Sequence, residues 1–492
     1  MQSIAPYIDN VPVVSGFEQQ IKEAISLSKN SKLFSDNNAI DFKNIKSASA
    51  IALHMHQPLI PAGGDDLRSA ELISNLEHMM RNPHVGDNHN ASVFHWCYKR
   101  IGTFVPQLLQ EGKQPRVMLE YSGTLLHGLY KMGLHDVIDD LRNITCDPNL
   151  RRCVEWLGCP WGHPVAPSTP VQDYKLHVLA FQQFFAGLFG LEAVSRLRGF
   201  SPSEMALPNH PDVAYEFVKT LRECGYTWVL VQEHTIERPE NGYGPEYPHI
   251  PHRLVCTNSK GETQSIIAVI KTQGSDTKLV AQMQPYFEAK TQNRRTLTTH
   301  DLKTQSIPSL VTQIADGENG GVMMNEFPQK YLDTVREASH TQTPLMNVTE
   351  YLEYLSSMGI AEEDFPVVQP IHQKLIWENF NPSDGAKKLE QVIDKLKKEN
   401  HRFHMDGGSW TNNISWVSGY DNVLGPIERA SSLFNEKVLK AGVSPSDFRF
   451  RNALFHLMCS QTSCYRYWGQ GQWTDYGIEI CRRANAILES DF

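Results

Sequence analysis

The stretch SASAIALHMHQP, residues 47–58, is the part of the sequence that decides the fold. Its alternation predicts a β-strand, with Ile51, Leu53 and Met55 on one face and small alanines followed by His54 and His56 on the other. The proline at its end lacks a backbone N–H and stops the strand. Barrel enzymes carry their chemistry at the carboxyl ends of their strands, which is where the two imidazoles lie.

Further strands follow this one along the chain, with helices between them. Apolar runs typical of buried strands recur at 116–123, 153–158, 226–232, 265–271 and 309–318. Amphipathic helix patterns lie between them, at 171–190 and 209–225. Repeated alternation of this kind is typical of a parallel α/β barrel. We therefore predict a barrel-like catalytic domain over residues 47–380.

The two flanking regions have a different pattern. Phe17, Ile21 and Ile25 recur at helical spacing, which predicts an N-terminal helical extension over residues 1–46. After about residue 380, charged amphipathic helices such as residues 384–399 replace the alternation. We expect a C-terminal helical region over residues 381–492.

Composition excludes several classes of protein. The chain has 492 residues and a net charge of −9, so it lacks the basic surface that binding to nucleic acid requires. No apolar run is long enough to span a membrane, and the first residues do not have the pattern of a secretory signal. The nine cysteines form no CxxC pair. Reduced thiols in a cytoplasmic protein are the expectation.

Two histidines at the end of the first strand form the first candidate site. His54 and His56 point the same way because they are two residues apart. This arrangement suits the floor of a polar pocket or half of a metal site. Two core histidines bonded to the backbone would give the same pattern, so the strand alone leaves all three interpretations open.

A second candidate site lies in residues 154–164, where Glu155, Trp161 and His163 occur close together. A carboxylate and aromatic rings are what a sugar site needs, because the rings cover the apolar faces of the sugar and the carboxylate accepts hydrogen bonds from its hydroxyls. A buried aromatic cluster is the alternative.

Two further candidate segments carry acidic residues in turns. Glu204 lies in an apolar turn before a helix, where plain exposure to solvent is the alternative role. Asp316 and Glu318 end a buried strand and share a face, with Gly317 between them allowing close approach of a ligand. An ordinary turn would also fit, and the oxygen ligands are too few for a complete calcium loop.

Taken in order, these segments resemble the motifs of glycoside hydrolase family 57. The matching segments are His56-Gln57-Pro58, Glu155 with His163-Pro164, Ser201-Pro202-Ser203-Glu204, Asp316-Gly317-Glu318 and Tyr467-Trp468-Gly469. The third segment lacks the family's tryptophan, and Ser463-Cys464 stands where the fifth motif often has an acidic or amide residue. The resemblance covers about residues 45–475.

The resemblance implies a fold, a reaction and a role for each residue. The fold is α/β, an incomplete (β/α)7 barrel with a helical C-terminal region that contributes to the active site. Glu204 is then the nucleophile and Asp316 the general acid/base of a retaining enzyme that acts on α-glucans or related α-glycosides. The implied substrate-binding residues are His56, Gln57, Glu155, Trp161, His163 and Trp468. The partner is an oligo- or polysaccharide, and neither a metal nor an organic cofactor is implied.

Two other functions remain open at this stage. A metal-dependent deacetylase on a related barrel would need His54 and His56 to bind zinc with a third ligand. A glucan-binding protein without turnover would not need both carboxylates. The family also includes α-amylases, 4-α-glucanotransferases, branching enzymes and α-galactosidases, and the sequence does not choose among them.

Overall fold

A computed structural model describes residues 3–34, 40–271, 299–318, 327–407, 421–467 and 471–492. Its strands, in chain order, are β1 (Tyr7–Ile8), β2 (Val11–Pro12), β3 (Ser47–Met55), β4 (Leu59–Pro61), β5 (Leu72–Ser74), β6 (Val117–Tyr121), β7 (Val154–Gly158), β8 (Gly199–Phe200), β9 (Trp228–Gln232), β10 (Ile236–Glu237), β11 (His252–Thr257), β12 (Thr263–Lys271), β13 (Thr299–Leu302), β14 (Gln305–Asp316) and β15 (Val367–Pro370).

Helices surround these strands and form most of the C-terminal region. They are α1 (Glu18–Ser28), α2 (Asn75–Arg81), α3 (Ala91–Gln110), α4 (Gly123–Lys131), α5 (His135–Cys146), α6 (Val171–Phe189), α7 (Leu191–Val194), α8 (Pro211–Glu223), α9 (Phe327–Ala338), α10 (Val348–Ser357), α11 (Gln373–Trp377), α12 (Ala386–Glu399), α13 (Asp421–Phe434), α14 (Phe448–Ser460), α15 (Cys464–Tyr467) and α16 (Gln472–Asp491). No helix among the described residues has the length and apolar character needed to cross a bilayer.

Seven parallel strands in the described part of the chain close into a barrel, in the order β3, β6, β7, β8, β9, β12 and β14. The pairing of Lys271 with Thr312 joins β12 to β14, and β14 pairs with β3 from Ser309 to Asp316. This confirms the predicted seven-stranded barrel and each of the predicted core strands. Since all seven strands run the same way, their carboxyl ends meet at one end of the barrel.

The alternation read from residues 47–58 separates the two faces of β3. Ile51, Leu53 and Met55 join the large core between the barrel and its helices. Ala50 and Ala52 lie in a second cluster, together with residues such as Trp228 on β9. A Cβ atom on Gly199 would lie 2.2 Å from the Trp228 ring, so β8 requires glycine at this point of the barrel.

Helix α10 closes the amino-terminal end of the barrel. Its buried Glu350 forms an ion pair with Arg116, at 2.9 Å between Nε and Oε2. Thr349, in the first turn of α10, accepts a hydrogen bond of 3.0 Å from Nε1 of Trp228. Glu155 on β7 also contacts Thr349, as the next section describes. These buried polar groups at the amino-terminal end of the barrel therefore bond to α10.

The flanking regions pack on the barrel helices. Ile21 and Ile25 of α1 are buried, and the backbone N–H of Phe17 donates to Oε1 of Gln183 on α6 at 2.8 Å. Side chains of α13, α14 and α16 belong to the same core as α6. The C-terminal helices therefore share their core with the barrel, and this contact brings residues 461–464 to its carboxyl end.

Candidate active site

A cavity of about 480 Å³ opens at the carboxyl ends of the barrel strands. It is lined by residues from β3, β6 and β14, from the turn after β8, and from the C-terminal region, where Cys464 and Trp473 contribute. Five of the catalytic and substrate-binding residues implied by the resemblance line it, namely His56, Gln57, His163, Glu204 and Asp316, and so do the candidate residues His54 and Glu318. The described structure thus brings together segments that are up to about 400 residues apart in the chain.

Glu204 reaches the cavity from a strained turn. After β8, a single 3-10 turn spans Ser203–Met205, and Glu204 has φ 58° and ψ 15°. Met205, which follows it, has φ 51°. Left-handed conformations are uncommon outside glycine and cluster at functional sites. The Ser463 hydroxyl donates a hydrogen bond of 3.1 Å to Oε1 of Glu204, which fixes the direction of the carboxylate.

Asp316 ends β14 and lies opposite His54 in the register with β3. Gly317, which follows, lets the chain pass close to β3, because a Cβ atom there would lie 2.0 Å from Cε of Met55. Burial raises the pKa of Asp316, the positive charge of His54 opposes the rise, and Glu120 adds to it. The neighbouring negative charge that raises the pKa of Asp316 is therefore that of Glu120.

Glu120, on β6, is a site residue that sequence reasoning missed. It is buried, and its Oε2 lies 2.7 Å from Nδ1 of His54 and accepts a hydrogen bond of 3.2 Å from Ser201. Its side chain lines the cavity. The signal for it was present in the sequence, because a glutamate in the otherwise apolar run VMLEY has no reason to be buried without a partner.

Three histidine rings lie close together in the cavity, and two of them stack. His56 and His163 are nearly parallel, with ring centroids 4.0 Å apart, and His54 lies 4.8 Å from His163. Burial lowers the pKa of His56 and of His163 well below the usual range, so both rings are neutral. Burial would also lower the pKa of His54, but the carboxylates of Glu120, Asp316 and Glu318 outweigh it and raise that pKa to about 10. The three rings therefore carry one positive charge at neutral pH.

The side chains of His56 and Gln57, in the first motif, form hydrogen bonds with other protein groups. Nδ1 of His56 lies 2.7 Å from the hydroxyl of Ser122, which also caps helix α4. The amide of Gln57 donates to the Tyr98 hydroxyl at 3.0 Å and accepts from Asn75 at 2.8 Å. Gln57 thus faces the cavity with both ends of its amide already bonded to protein groups.

Glu318 fixes the backbone of the same motif. Its Oε1 accepts a hydrogen bond of 2.8 Å from the backbone N–H of His56. Burial raises the pKa of Glu318 to about 7, with His54 opposing the rise and Asp316 adding to it. The loop after β14 and the end of β3 are therefore connected by a carboxyl group that titrates near neutral pH.

Two residues expected to bind substrate lie elsewhere, and a third lies outside the described residues. Trp161 is fully buried against Phe184 and Phe455, so it is the core aromatic that the sequence left open as an alternative. Glu155 lies at the amino-terminal end of the barrel, where its carboxylate accepts hydrogen bonds from the backbone N–H (3.0 Å) and the hydroxyl of Thr349. Residues 468–470, with Trp468, are not described.

Strand register explains the position of Glu155. On β6 and β7, Glu155 pairs with Met118, two residues before Glu120. Two residues along a strand are about 7 Å, one side-chain layer of the barrel. Glu155 therefore faces the layer below Glu120 and does not line the cavity, which corrects the expectation that it holds sugar hydroxyls.

We predict that Glu155 affects stability and leaves turnover unchanged. Burial raises the pKa of Glu155 from 4.5 to about 7. The folded protein keeps a proton there that the unfolded chain releases, so the free energy of unfolding falls as pH rises from 4.5 to about 7 and then levels off. Glu155→Gln mimics the neutral acid. We therefore expect the free energy of unfolding to fall by roughly 3 kcal/mol less in the variant than in the wild type. Urea denaturation between pH 5 and pH 8 measures this difference.

The comparison of Glu155→Gln with the wild type isolates this one group. Glu318 titrates in the same range in both proteins and cancels in the difference. Stability curves that run parallel from pH 5 to pH 8 would contradict the prediction, as would a loss of turnover in the variant.

The described residues hold no group of three or more His, Cys, Asp or Glu side chains arranged to bind a metal ion. Nδ1 of His54 bonds to Glu120 and Nδ1 of His56 to Ser122.

The sequence also matches a known protein family. The sequence profile of glycosyl hydrolase family 57 matches residues 50–360. No curated protein matches the sequence significantly.

Three solved enzymes have a similar fold. The 4-α-glucanotransferase of Thermococcus litoralis superposes with a TM-score of 0.53 at 17% identity, over 89% of this chain and 57% of that one. The GH57-type branching enzyme of Pyrococcus horikoshii has a TM-score of 0.53 at 10% identity, over 89% of this chain and 88% of that one. The α-amylase AmyC of Thermotoga maritima has a TM-score of 0.52 at 11% identity, over 90% of this chain and 93% of that one. The chain spans little more than half the length of the glucanotransferase, and identities this low establish the fold alone.

Proposed function

The chain belongs to glycosyl hydrolase family 57, and on that basis we propose that it is a retaining glycosidase or transglycosidase acting on α-glucans or related α-glycosides. One observation carries the proposal. Glu204 lies in the turn after β8 and Asp316 ends β14, and their side chains line one cavity at the carboxyl end of the barrel. A pair of carboxyl groups across one pocket is the machinery of glycoside hydrolysis.

Each carboxyl group has a separate role in the proposed reaction. Glu204 attacks the anomeric carbon, a glycosyl–ester bond forms, and the bond from that carbon to the leaving oxygen breaks. Asp316 gives its proton to the leaving oxygen. Asp316 then takes a proton from water, or from an acceptor sugar, as that oxygen attacks the anomeric carbon and releases Glu204. Burial, which raises the pKa of Asp316, favours its starting role as an acid.

The polar groups of the cavity support a substrate that carries hydroxyl groups. Oε1 of Glu120 and Nε2 of His163 are buried and have no hydrogen-bond partner among the described residues. Both side chains line the cavity. Each sugar hydroxyl can donate one hydrogen bond, and a bound glycoside would satisfy such acceptors.

A screen of maltooligosaccharides from maltose to maltoheptaose tests the proposal. Thin-layer chromatography separates the outcomes, since hydrolysis gives only shorter products, disproportionation gives shorter and longer ones, and branching gives products that a debranching enzyme shortens. Proton NMR of the first product reports its anomeric configuration. An initial α-anomer supports the retaining mechanism. An initial β-anomer contradicts that mechanism, and the absence of any product from maltooligosaccharides or other α-glycosides contradicts the activity.

We predict that removal of divalent metals leaves turnover unchanged. A carboxylate pair performs both steps without a metal ion. Dialysis against EDTA, followed by assay with and without added zinc, checks this. If chelation abolishes activity and zinc restores it, the metal-dependent deacetylase becomes the better interpretation.

A further inference from the structure

Two residues of the cavity share an unusual backbone conformation. His163, in the loop after β7, and Glu204, in the turn after β8, both have φ 58°. A side chain at such a position costs free energy that the surrounding structure must offset. At both positions this backbone conformation directs the side chain toward Ser463.

The two side chains meet at Ser463 of the C-terminal region. Nδ1 of His163 lies 2.8 Å from Oγ of Ser463, and that hydroxyl lies 3.1 Å from Oε1 of Glu204. The direct distance from Nδ1 of His163 to Oε1 of Glu204 is 3.8 Å. The backbone N–H of Ser463 also donates to the carbonyl of His163 at 2.9 Å. Ser463 is therefore bonded to His163 through both its backbone and its side chain.

The number of protons available determines which atom donates in each of these hydrogen bonds. An ionised Glu204 can only accept, so the single proton of the Ser463 hydroxyl goes to Glu204. The Ser463 oxygen must then accept from His163, which places the imidazole proton on Nδ1. His163 is buried and stacked on His56, so the ring has little freedom to leave this arrangement.

A second set of bonds holds the segment that carries Ser463. The backbone N–H of Gly162 donates to Nδ1 of His177 at 3.0 Å, which leaves the proton of that ring on Nε2. Nε2 lies 2.8 Å from Oε1 of Gln461, and the Gln461 amide donates to Asp173 at 2.6 Å. The loop of His163 and the segment of Ser463 are thus joined by two parallel hydrogen-bond chains.

We propose that Ser463 and His163 are positioning residues for the nucleophile: the relay from His163 through Ser463 to Oε1 holds the Glu204 carboxylate ionised and aimed at the anomeric carbon. The inference rests on the proposed function, because it requires Glu204 to be the nucleophile. It also gives the C-terminal helical region a part in the reaction, since the hydroxyl of the relay comes from beyond residue 460.

Ser463→Ala tests the relay, with Ser460→Ala as the matched control. Ser460 is equally buried, but its hydroxyl donates to Leu457 of its own helix at 2.7 Å. Loss of a hydrogen bond to a charged group lowers a rate or binding constant by roughly ten- to a hundredfold. We expect Ser463→Ala to lower kcat for maltoheptaose by that factor with KM nearly unchanged, and Ser460→Ala to behave as wild type.

The pH profile separates positioning from loss of structure. Without the serine donor the carboxylate form of Glu204 is less favoured, so the acidic limb of the rate profile moves to higher pH. The other titratable groups around the cavity are common to both variants: His54, His56, Glu120, His163, Lys271, Asp316, Glu318 and Cys464. His163→Asn, which keeps a donor near the position of Nδ1 and tolerates positive φ, should retain more activity than His163→Leu.

A covalent probe gives a readout that does not depend on the natural substrate. Conduritol B epoxide reacts when a carboxylate opens the ring, a carbon–oxygen ester bond forms, and an acid gives a proton to the epoxide oxygen. Peptide mass spectrometry measures labelling of Glu204 against pH. Slower labelling in Ser463→Ala, with its acidic limb moved upward, supports the relay. Equal rates and limbs in Ser463→Ala and wild type overturn the relay alone, whereas absence of label on Glu204 in the wild type overturns the nucleophile assignment.

Discussion

Glu204→Gln is expected to lose at least about a thousandfold in kcat while keeping the fold of the wild type. Glutamine has nearly the same size and the same backbone preference, so the left-handed turn at φ 58° remains as it is. What it lacks is a negative oxygen that can form the glycosyl ester. Turnover of the substrate that the screen identifies, with circular dichroism as the check on folding, measures the effect.

Glu155→Gln is the matched control for this variant, because it makes the same substitution at a buried glutamate outside the cavity. Glu204→Gly adds a test of chemical role, since it relieves the left-handed strain and leaves space for a small anion. With an activated aryl α-glucoside and azide, a glycosyl azide of β configuration should form on the face that Glu204 occupied. Activity of Glu204→Gln within tenfold of the wild type would remove Glu204 from the nucleophile role.

The sequence was sufficient for six of the seven barrel strands because they form apolar runs separated by helix patterns. The two-residue strand β8 (Gly199–Phe200) was not predicted from the residues, and the count of seven came from the family resemblance. The alternation at 47–58 assigned the faces of β3 correctly, with His54 and His56 on the face that turns to the cavity. Glu204 and Asp316 came from motif resemblance, and the structure places both at one cavity. Periodicity alone could not have paired them, because they lie more than a hundred residues apart and meet only through closure of the barrel.

Strand register is what the sequence could not supply. Glu120 and Glu155 each occupy an inward-facing position of a five-residue strand, and the sequence does not show which one lies nearer the carboxyl end of the barrel. The observed pairing of Met118 with Glu155 settles it and puts Glu120 one layer higher. Ser463 was passed over for a related reason, since its role depends on contacts across about 300 residues with His163 and about 260 with Glu204.

Asp316→Asn is expected to slow the reaction by an amount that depends on the leaving group. The proposed acid gives a proton to the departing oxygen, so a sugar leaving group, which departs poorly as an anion, needs it most. We expect a loss of about 10²–10⁴-fold for maltooligosaccharides and a much smaller loss for a dinitrophenyl α-glucoside, whose phenolate departs unaided. Steady-state kinetics on both substrates measures the difference within one protein preparation.

The pH dependence of Asp316→Asn gives a second, independent test of Asp316 as the general acid. Burial raises the pKa of Asp316, so the wild type holds the catalytic proton below that pKa and loses it as pH rises through it. The alkaline limb of kcat/KM should therefore flatten in Asp316→Asn, while the acidic limb, which depends on Glu204, stays in place. Asp316→Ala with azide should give a glycosyl azide of α configuration, because the anion enters from the side of the departed group. Equal losses for the sugar and dinitrophenyl substrates, or an unchanged alkaline limb, would contradict the role of Asp316 as the acid.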